Sequence, residues 1–529
     1  DRNHLSSSDS VILHVNGSPS KIADFNGDGY ADVAIGVPLE DVGSAIDAGG
    51  VNVIYGSSAR LTSTGNQFWT QDSPEVLDAS GSGDLFGAAL AAGDFNGDGL
   101  SDLAIGAPYD DPDDVGEAGA VNVLYGSTTG LAHGYNQFWT QKAAGLGSGY
   151  PGDLFGSSLA AGDLNGDGYA DLVVGVPLKG VNSLDAGAAA VLYGSLDGLT
   201  TAGGQLWTQN SPGILDKSQI GDLFGWALAV GDFNGNGYAD LAIGVPLEDA
   251  PQDHGAVNVI YGSSAGLTST GNQVWSQDSR GIVNPGEAGD AFGFSLAVGS
   301  FEGDKYEDLA VGIPYENIGS KVDAGAVSVI YGRSTGLSYI RNQFWSQDTT
   351  GVVDSSERYD RLGYSLAGGD FNGSGRDDLA IGVPTEDVSS VTNPGAVAVL
   401  YGGRSKLTTS ANQLWHQNSS GIRDTAERHD QFGFALAVGD FNGHKYDDLA
   451  IGVDLENVGS IVDAGAAAVI YGSSSRLGSA RNQFWTQDSP GIMDEAEAGD
   501  VFGGTVASGV GQTMGADRRS PLSRLRFTR

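Results

Sequence analysis

The 529-residue chain contains no cysteine, which excludes disulfides, thiolate nucleophiles and cysteine-ligated zinc. Cationic side chains are also scarce, because 26 Lys and Arg stand against 66 Asp and Glu, for a net charge of −40. Phosphate binding needs clustered Lys and Arg, so nucleic acid and anionic membrane surfaces are disfavoured as partners. No apolar run approaches the roughly 18 residues of a membrane-spanning helix, so no membrane span is predicted.

Glycine, by contrast, is abundant. The chain has 84 glycines, about 16 % of the residues and roughly twice the usual share. A glycine-rich chain can be disordered, but 40 % of this one is hydrophobic and it carries 19 Phe, 19 Tyr and 8 Trp. Side chains of this kind need a packed core, so the composition favours short strands joined by many tight turns.

A unit of close to 70 residues repeats along the chain. The phrase NQFWTQ and its variants recur at spacings of 68 or 70 residues, and a Phe-Gly pair recurs in step with them. The tryptophans are Trp69, Trp139, Trp207, Trp275, Trp345, Trp415 and Trp485. The Phe-Gly positions are Phe86, Phe155, Phe224, Phe292, Phe432 and Phe502, with Leu362 in the same place.

Each unit contains four strand-like segments and no window with helical periodicity, which predicts a four-stranded antiparallel sheet. A sheet this apolar on both faces must be covered by its neighbours. Radial closure of seven sheets into an all-β, seven-bladed β-propeller satisfies that requirement. A linear solenoid is the alternative, but it needs polar capping repeats, and the end units here resemble the others.

The chain ends set the predicted domain boundaries. Residues 1–15 are an N-terminal segment, 16–510 are the propeller, and 511–529 are an Arg-rich tail. The tail is predicted to be disordered, and a frameshifted or truncated reading frame is the alternative. Phe502-Gly503 begins an eighth unit that does not continue, so 500–510 is expected to close the ring by pairing with unit one. The units start near 16, 86, 155, 224, 292, 362 and 432.

Each unit also carries a nine-residue acidic turn between its first two strands. Side-chain oxygens at positions 1, 3, 5 and 9, with a backbone carbonyl at position 7 and Gly at position 6, match the ligand spacing of an EF-hand loop. Hard oxygen donors favour Ca²⁺ over transition metals. An Asx-rich β-turn is the alternative, since Asn, Asp and Gly are also turn residues. The repetition of three carboxylates in register favours the metal.

The turns differ in how complete their ligand sets are. Three are full, and the fourth loses one carboxylate but keeps its Gly. The predicted metal ligands are Asp24, Asn26, Asp28, Tyr30 and Asp32; Asp94, Asn96, Asp98, Leu100 and Asp102; Asp163, Asn165, Asp167, Tyr169 and Asp171; and Asp232, Asn234, Asn236, Tyr238 and Asp240. The turn at 370–378 is expected to bind weakly if at all. In the turns at 300–308 and 440–448, Lys305 and Lys445 replace the Gly, and their charge is expected to take the place of the ion.

Three short motifs indicate a family. A Phe-Gly pair opens the unit, the DxNxDG turn follows, and GAP or GVP ends the second strand, as in Gly106-Ala107-Pro108 and Gly36-Val37-Pro38. Together they closely resemble the FG-GAP repeats of integrin α-subunit head domains, over about 16–510. The chain lacks the inserted DxSxS domain, the leg domains and the membrane segment of those receptors, so it resembles a free-standing, bacterial relative.

The resemblance implies a seven-bladed propeller with Ca²⁺ in the acidic turns of its lower face. It also implies an upper face that binds a protein or glycan ligand, formed by linkers such as 72–84 and by the loops between second and third strands. In this sequence those loops are 39–49, 109–119, 178–187, 247–255, 315–325, 385–395 and 454–465. Their acidic residues are either a solvated rim or sites for a basic partner or further Ca²⁺.

Other motifs suggest an enzyme less strongly. Gly262 to Gly266 and Gly332 to Gly336 match the G-x-S-x-G nucleophile motif, but both fall in a repeated hairpin turn instead of a strand-to-helix turn. The repeated Trp and Phe could stack on sugars, although their regular spacing favours packing between blades. We therefore expect no catalytic residues, and a secreted or cell-surface adhesion or interaction module. The alternative is a polysaccharide- or lipid-acting enzyme, or its accessory propeller.

The graded turns predict the calcium stoichiometry. We expect three or four bound Ca²⁺ ions per chain, or five if the turn at 370–378 also binds. Isothermal titration calorimetry and anomalous scattering from calcium-soaked crystals measure this number directly. An absence of ions at 24–32, 94–102 and 163–171 would contradict the metal interpretation.

Overall fold

The computed structural model describes residues 23–508, apart from 113–114, 133, 148, 182–183 and 249–252. The segment 1–15 and the tail 511–529 lie outside the described residues. All regular elements in the described part are β-strands, and they form seven four-stranded antiparallel sheets, called blades 1 to 7 in chain order. The expected all-β, seven-bladed propeller is confirmed.

The strands of each blade are given from the innermost outward. Blade 1 has Thr505–Ala507, Val33–Val37, Gly50–Tyr55 and Thr62–Trp69; blade 2 has Ala89–Gly93, Asp102–Ala107, Ala120–Leu124 and Gln137–Trp139. Blade 3 has Leu159–Gly162, Asp171–Val176, Ala188–Tyr193 and Thr200–Trp207, with an extra hairpin of Gly180–Val181 and Leu184–Asp185. Blade 4 has Ala227–Gly231, Asp240–Val245, Ala256–Tyr261 and Thr268–Trp275. Blade 5 has Leu296–Gly299, Asp308–Ile313, Ala326–Tyr331 and Ser338–Trp345; blade 6 has Leu366–Gly369, Asp378–Val383, Ala396–Tyr401 and Thr408–Trp415. Blade 7 has Phe432–Gly439, Asp448–Val453, Ala466–Tyr471 and Gly478–Trp485.

The ring is closed by the last described strand. The innermost strands of successive blades contact one another in cyclic order, so they line the central axis. Thr505–Ala507 pairs antiparallel with Val33–Val37, with Ile35 opposite Val506, and thereby completes blade 1. The C-terminal end of the described chain thus holds the N-terminal blade in place, as the repeat pattern predicts.

The hydrophobic core lies between the blades. All six residues of the second strand and of the third strand of blade 4 are buried, because adjacent blades cover both faces of the sheet. Trp275 packs in one cluster with Phe292, the Phe-Gly phenylalanine of blade 5. Trp226, the tryptophan outside the register, is also buried, beside Phe294. Burial of these rings supports packing as the role of the repeated aromatics.

Hydrogen bonds repeat at every blade junction. In blade 3, the Tyr193 hydroxyl donates to Gln205 Oε1 (2.8 Å) and accepts from the Leu267 N–H of blade 4 (3.3 Å). Gln205 Nε2 donates to the Leu267 carbonyl (3.0 Å). The same hydrogen bond, from a leucine N–H to the tyrosine hydroxyl of the preceding blade, joins all seven pairs of blades. The accepting tyrosines are Tyr55, Tyr125, Tyr193, Tyr261, Tyr331, Tyr401 and Tyr471. The Gln of the NQxW motif is therefore a junction residue.

This junction predicts a stability effect. Gln205→Leu removes the acceptor of the Tyr193 hydroxyl and the donor to the Leu267 carbonyl. We therefore expect the free energy of unfolding to fall by about 1–3 kcal/mol. Denaturant titration measures it. Thr201→Ala, at an exposed position of the same strand, is the control and should change the free energy of unfolding by less than about 0.5 kcal/mol. Equal effects from the two variants would contradict the junction role.

Candidate metal centre

The acidic turns all lie on one face of the ring, the lower face. In blade 1, Asp24 at position 1 folds the turn: its Oδ1 accepts from the Gly27 N–H (2.7 Å) and the Asp28 N–H (3.1 Å), and its Oδ2 accepts from the Gly29 N–H (2.8 Å). Gly29, at position 6, has φ of 87°, which glycine adopts at little cost. The same bonds, from Asp94 and Asp163, shape the turns of blades 2 and 3.

The turns are also bonded to each other around the ring. The N–H at position 8 of each turn donates to the carbonyl at position 1 of the preceding blade, at 2.8–3.1 Å. The donors are Ala31, Ser101, Ala170, Ala239, Glu307, Asp377 and Asp447, and the bond from Ala31 to Asp440 closes the circle. Any ligand that orders a turn therefore acts on two blades.

The aspartate at position 9 lies deepest. Asp32 is fully buried; its Oδ2 accepts from the Phe25 N–H (2.8 Å) and its Oδ1 from the Gly56 N–H (2.9 Å). Burial, with a smaller contribution from the charges of Asp24 and Asp28, raises the pKa of Asp32 to about 8. Aspartates hold the same two bonds in all seven blades, including those with incomplete turns: Asp32, Asp102, Asp171, Asp240, Asp308, Asp378 and Asp448. Position 9 therefore has a structural role whether or not it also binds a metal.

The side chain at position 3 distinguishes the turns of blades 4 and 6 from the full turns. In blades 1 to 3, the oxygen of Asn26, Asn96 or Asn165 accepts from the N–H at position 5, at 2.8–2.9 Å. In blade 4, Asn234 instead turns its Nδ2 toward Asp240, at 3.2 and 3.3 Å, and Asn372 of blade 6 does the same toward Asp378. In blade 7, Asn442 makes both contacts: its Nδ2 donates to Asp448 (2.7 Å) and its Oδ1 accepts from the His444 N–H (3.1 Å). The turn of blade 4, which the sequence grouped with the binding turns, thus resembles the weak ones at this position.

The donor chemistry of blades 1 to 3 fits Ca²⁺. Carboxylates at positions 1 and 5 and an amide oxygen at position 3 are hard ligands. No Lys or Arg in the described part of the chain pairs with Asp24 or Asp28, or with the equivalent residues of blades 2 and 3. The described residues also contain no group of three or more His, Cys, Asp or Glu side chains arranged to hold a metal ion. Calcium would have to complete its coordination with the amide and backbone oxygens.

In blade 5 an arginine lies beside the acidic turn. Arg333, in the hairpin turn after the third strand, contacts Glu302 at position 3 and lies 3.7 Å from Asp304 at position 5. Arg341 lies 3.7 Å from the second oxygen of Glu302. The sequence correctly singles out this turn as different, but it names the wrong cation: Lys305 Nζ leaves the turn and donates to the Gly235 carbonyl of blade 4 (3.0 Å).

The turn of blade 7 also differs from expectation. Lys445 adopts the positive φ of the glycine it replaces (65°), and its backbone N–H donates to Asp440 Oδ2 (2.7 Å). The lysine backbone therefore takes over the part of the glycine, with some strain.

The two G-x-S-x-G segments are turns, as expected from their register. Both follow the third strand of their blade, between Tyr261 and Thr268 in blade 4 and between Tyr331 and Ser338 in blade 5. Ser263 Oγ donates to the Gly266 carbonyl (2.7 Å) within the first of them. Ser263, the residue before the motif serine Ser264, therefore stabilises the hairpin turn.

The fold and the turns define a class of protein, the seven-bladed β-propellers with acidic turns between the first two strands of each blade. The FG-GAP repeat model matches six segments: 22–55, 86–124, 155–192, 224–260, 292–330 and 362–400. The chain belongs to the FG-GAP repeat β-propellers.

Known proteins share this similarity over part of their length. The chain is 32 % identical over 272 residues to phosphatidylinositol-glycan-specific phospholipase D of Bos taurus, covering 51 % of this chain and 30 % of that protein. It is 32 % identical over 264 residues to integrin alpha-PS2 of Drosophila melanogaster, covering 48 % and 17 %. The chain thus spans less than a third of either relative. Among solved structures, the exotype rhamnogalacturonan lyase YesX aligns over 83 % of this chain and 72 % of its own, with 10 % identity and a TM-score of 0.37.

A search of the described residues finds no helix of sufficient length and apolarity to span a membrane.

The arginine of blade 5 can be tested. Arg333→Met leaves Glu302, whose side chain is 6 % exposed, without its main cation. We expect the free energy of unfolding to fall by about 1–3 kcal/mol, less than for a fully buried pair because Arg333 is partly exposed. Denaturant titration gives this value. The double variant Arg333→Met/Glu302→Gln should recover much of the loss; no recovery would mean that Arg333 acts through packing alone.

Proposed function

We propose that this propeller is a calcium-stabilised, non-enzymatic interaction module that works outside the cytoplasm. Ca²⁺ binds the acidic turns of blades 1 to 3, held by Asp24, Asn26 and Asp28 and by the corresponding residues of blades 2 and 3. A protein or glycan ligand binds the loops of the upper face, on the opposite side of the ring. Calcium serves the stability of the ring and takes no part in chemistry.

The contrast between blade 5 and blades 1 to 3 carries this proposal. All these turns concentrate carboxylates, but only blade 5 among them has a protein cation beside its acidic side chains in the described structure. In blades 1 to 3 the acidic groups have backbone N–H donors and no positive charge. A divalent cation is the missing counter-charge, and its removal leaves mutual repulsion within the turn.

The relatives support the location and the type of function. Integrin alpha subunits, to which the chain is similar, are extracellular or cell-surface proteins. Surface turns of this ligand type match the weak extracellular class of calcium loops, with dissociation constants of about 10⁻⁴–10⁻³ M. Millimolar extracellular Ca²⁺ fills such sites, whereas cytosolic Ca²⁺ does not.

A second candidate is an accessory propeller of a lipid- or polysaccharide-acting enzyme. The similarity to relatives named phosphatidylinositol-glycan-specific phospholipase D favours it.

Binding of this chain to glycan and protein arrays, with Ca²⁺ and with EDTA, separates the candidates when combined with hydrolase and lyase assays. Turnover that an upper-loop substitution abolishes would overturn the non-enzymatic proposal.

The calcium proposal predicts a ranking of the turns. A ligand at 100 times its dissociation constant stabilises the folded state by about 2.7 kcal/mol per site. Replacing EDTA by saturating Ca²⁺ should therefore raise the melting temperature, and Asp28→Ala or Asp167→Ala should remove part of that rise. Differential scanning calorimetry in both buffers measures it.

Asp304→Ala is the matched control, since it removes the carboxylate at the same position from the acidic turn that Arg333 contacts. It should lower the melting temperature in both buffers by a similar amount and leave the calcium-dependent rise intact. An equal loss of the rise in Asp167→Ala and Asp304→Ala would contradict the assignment of sites.

A further inference from the structure

The upper face carries a second set of acidic groups, at the blade junctions. Between blades 6 and 7, Gln417 Nε2 donates to Asp424 Oδ2 (2.8 Å) of the linker and to Glu456 Oε2 (2.7 Å) of the next blade. Asp430 lies beside them and accepts from the Glu427 N–H. We call this arrangement an acid junction. Two others have the same make-up: Gln347, Asp354, Asp360 and Glu386 between blades 5 and 6, and Gln487, Asp494, Asp500 and Glu40 between blades 7 and 1. The junction between blades 3 and 4 has the same four residue types, Gln209, Asp216, Asp222 and Glu248, but there Gln219 Nε2 is a second amide donor to Glu248 (3.4 Å), and we do not count it with the three.

The glutamate and one aspartate of each acid junction are buried. Glu456 is 4 % exposed and Asp430 is fully buried. The titratable groups that face Glu456 are Asp424, Asp430 and Glu427, all acidic, and the remaining polar partner is the neutral Gln417 amide. Because Asp424 and Glu456 contact the same nitrogen atom, their carboxyl groups lie close together. Glu456 is out of water and Asp424 is half-buried, so ionisation of both carboxyl groups is disfavoured.

At one junction of the ring, a lysine of the chain balances the charge of a buried aspartate. Between blades 2 and 3, Lys179 stands where the other second-to-third loops have an acid. Its Nζ lies 2.8 Å from Asp153 Oδ2, which also accepts from Gln141 Nε2 (2.8 Å). Both charged side chains are at most 9 % exposed. A positive charge thus fills the place that is acidic in the three acid junctions.

The acid junctions need a different source of positive charge, and their geometry favours a proton over a metal. The Gln417 amide nitrogen donates to both carboxyl groups, so a hydrogen-bond donor already occupies the space between them. No group of three acidic side chains in the described structure is arranged around a metal position. Asp430 Oδ1, meanwhile, is buried without a hydrogen-bond partner in the described structure, and an added O–H can serve it.

We propose that each of the three acid junctions keeps one proton at neutral pH, shared between the glutamate and its neighbouring aspartates, and that this proton joins adjacent blades. The proton comes from solvent, and the protonated carboxyl donates its O–H to a facing carboxylate. The upper face then loosens when alkaline pH removes the proton. Burial, followed by the facing acids, raises the pKa of Glu40, Glu386 and Glu456 to about 9 in each case.

The sign of the pH dependence follows from these values. Above the usual glutamate pKa of 4.5 and below about 9, the folded junction holds a proton that the unfolded chain has released. Unfolding in this range releases the proton, so the contribution to stability falls as the pH rises and is lost above about pH 9. The junction titrates as a unit, so the proton belongs to the group and not to one residue.

The slope of the unfolding free energy against pH tests the proposal. Glu456→Gln imitates the neutral acid, and we expect it to release about one proton fewer on unfolding between pH 6 and 9. Adding Glu386→Gln and Glu40→Gln should lower the release by about one more proton each. The control is Glu495→Gln, which removes an exposed carboxylate near the junction between blades 7 and 1 and should leave the slope unchanged.

The measurements are made on the full chain in EDTA and again in saturating Ca²⁺. The difference between variant and wild type should be the same in both buffers, because the acid junctions are remote from the acidic turns. An unchanged slope in Glu456→Gln would overturn the proposal, as would a wild-type difference that Ca²⁺ abolishes, which would indicate a metal at the junction.

Infrared spectroscopy of the wild-type protein gives a test that does not depend on the folding of any variant. A carbonyl band of protonated carboxylic acid should be present at pH 7 and disappear on titration through about pH 9. The absence of such a band at pH 7 would overturn the proposal.

Discussion

The contact between neighbouring blades is the constraint on which the rest of this molecule depends. A single blade cannot cover its own two apolar faces, so the second and third strands are buried only because blades lie on both sides of them. Each junction adds a tyrosine–glutamine–leucine bond set and a backbone bond between acidic turns. The closing strand Thr505–Ala507 completes the circle. Repeat interfaces of this kind make stability a property of the ring, not of one unit.

Dense acidic groups at these junctions create a second constraint, and the chain meets it in several ways. Backbone N–H groups donate hydrogen bonds to the buried aspartates at position 9, Arg333 pairs with the acidic turn of blade 5, and Lys179 pairs with an aspartate at one upper junction. Calcium and protons are the proposed counterparts where no such cation exists. The excess of acid over base, with a net charge of −40, means that protein cations cannot serve every site.

The sequence predicted the fold well because the repeat itself carries the information. The spacing of the tryptophans fixed the number of blades, and the incomplete unit at Phe502 pointed to the closing strand. The candidate site was harder to predict from the sequence. Arg333 reaches Glu302 across 31 residues, and the neighbouring Lys305 is a more obvious candidate by position. Spacing also could not show that both oxygens of Asp32 accept from backbone N–H groups, since one donor, Gly56, belongs to another hairpin. The glutamines of the acid junctions were missed, although their recurrence two residues after each tryptophan was a visible signal.

The proposed division of tasks between the two faces of the ring has a physical reason. On the lower face, short turns are tied to the next blade by backbone bonds at every step, so a ligand there acts on the rigidity of the whole ring. On the upper face, the loops are longer and vary between blades, as the extra hairpin of blade 3 shows, so they can differ without disturbing the strands. The upper face is therefore better suited to ligand recognition, and the lower face to stabilisation of the ring. The carboxyl groups of the acid junctions affect both tasks, because they bind an upper loop to the linker of the preceding blade. The charge of these carboxyl groups therefore also determines how firmly the upper loops are held.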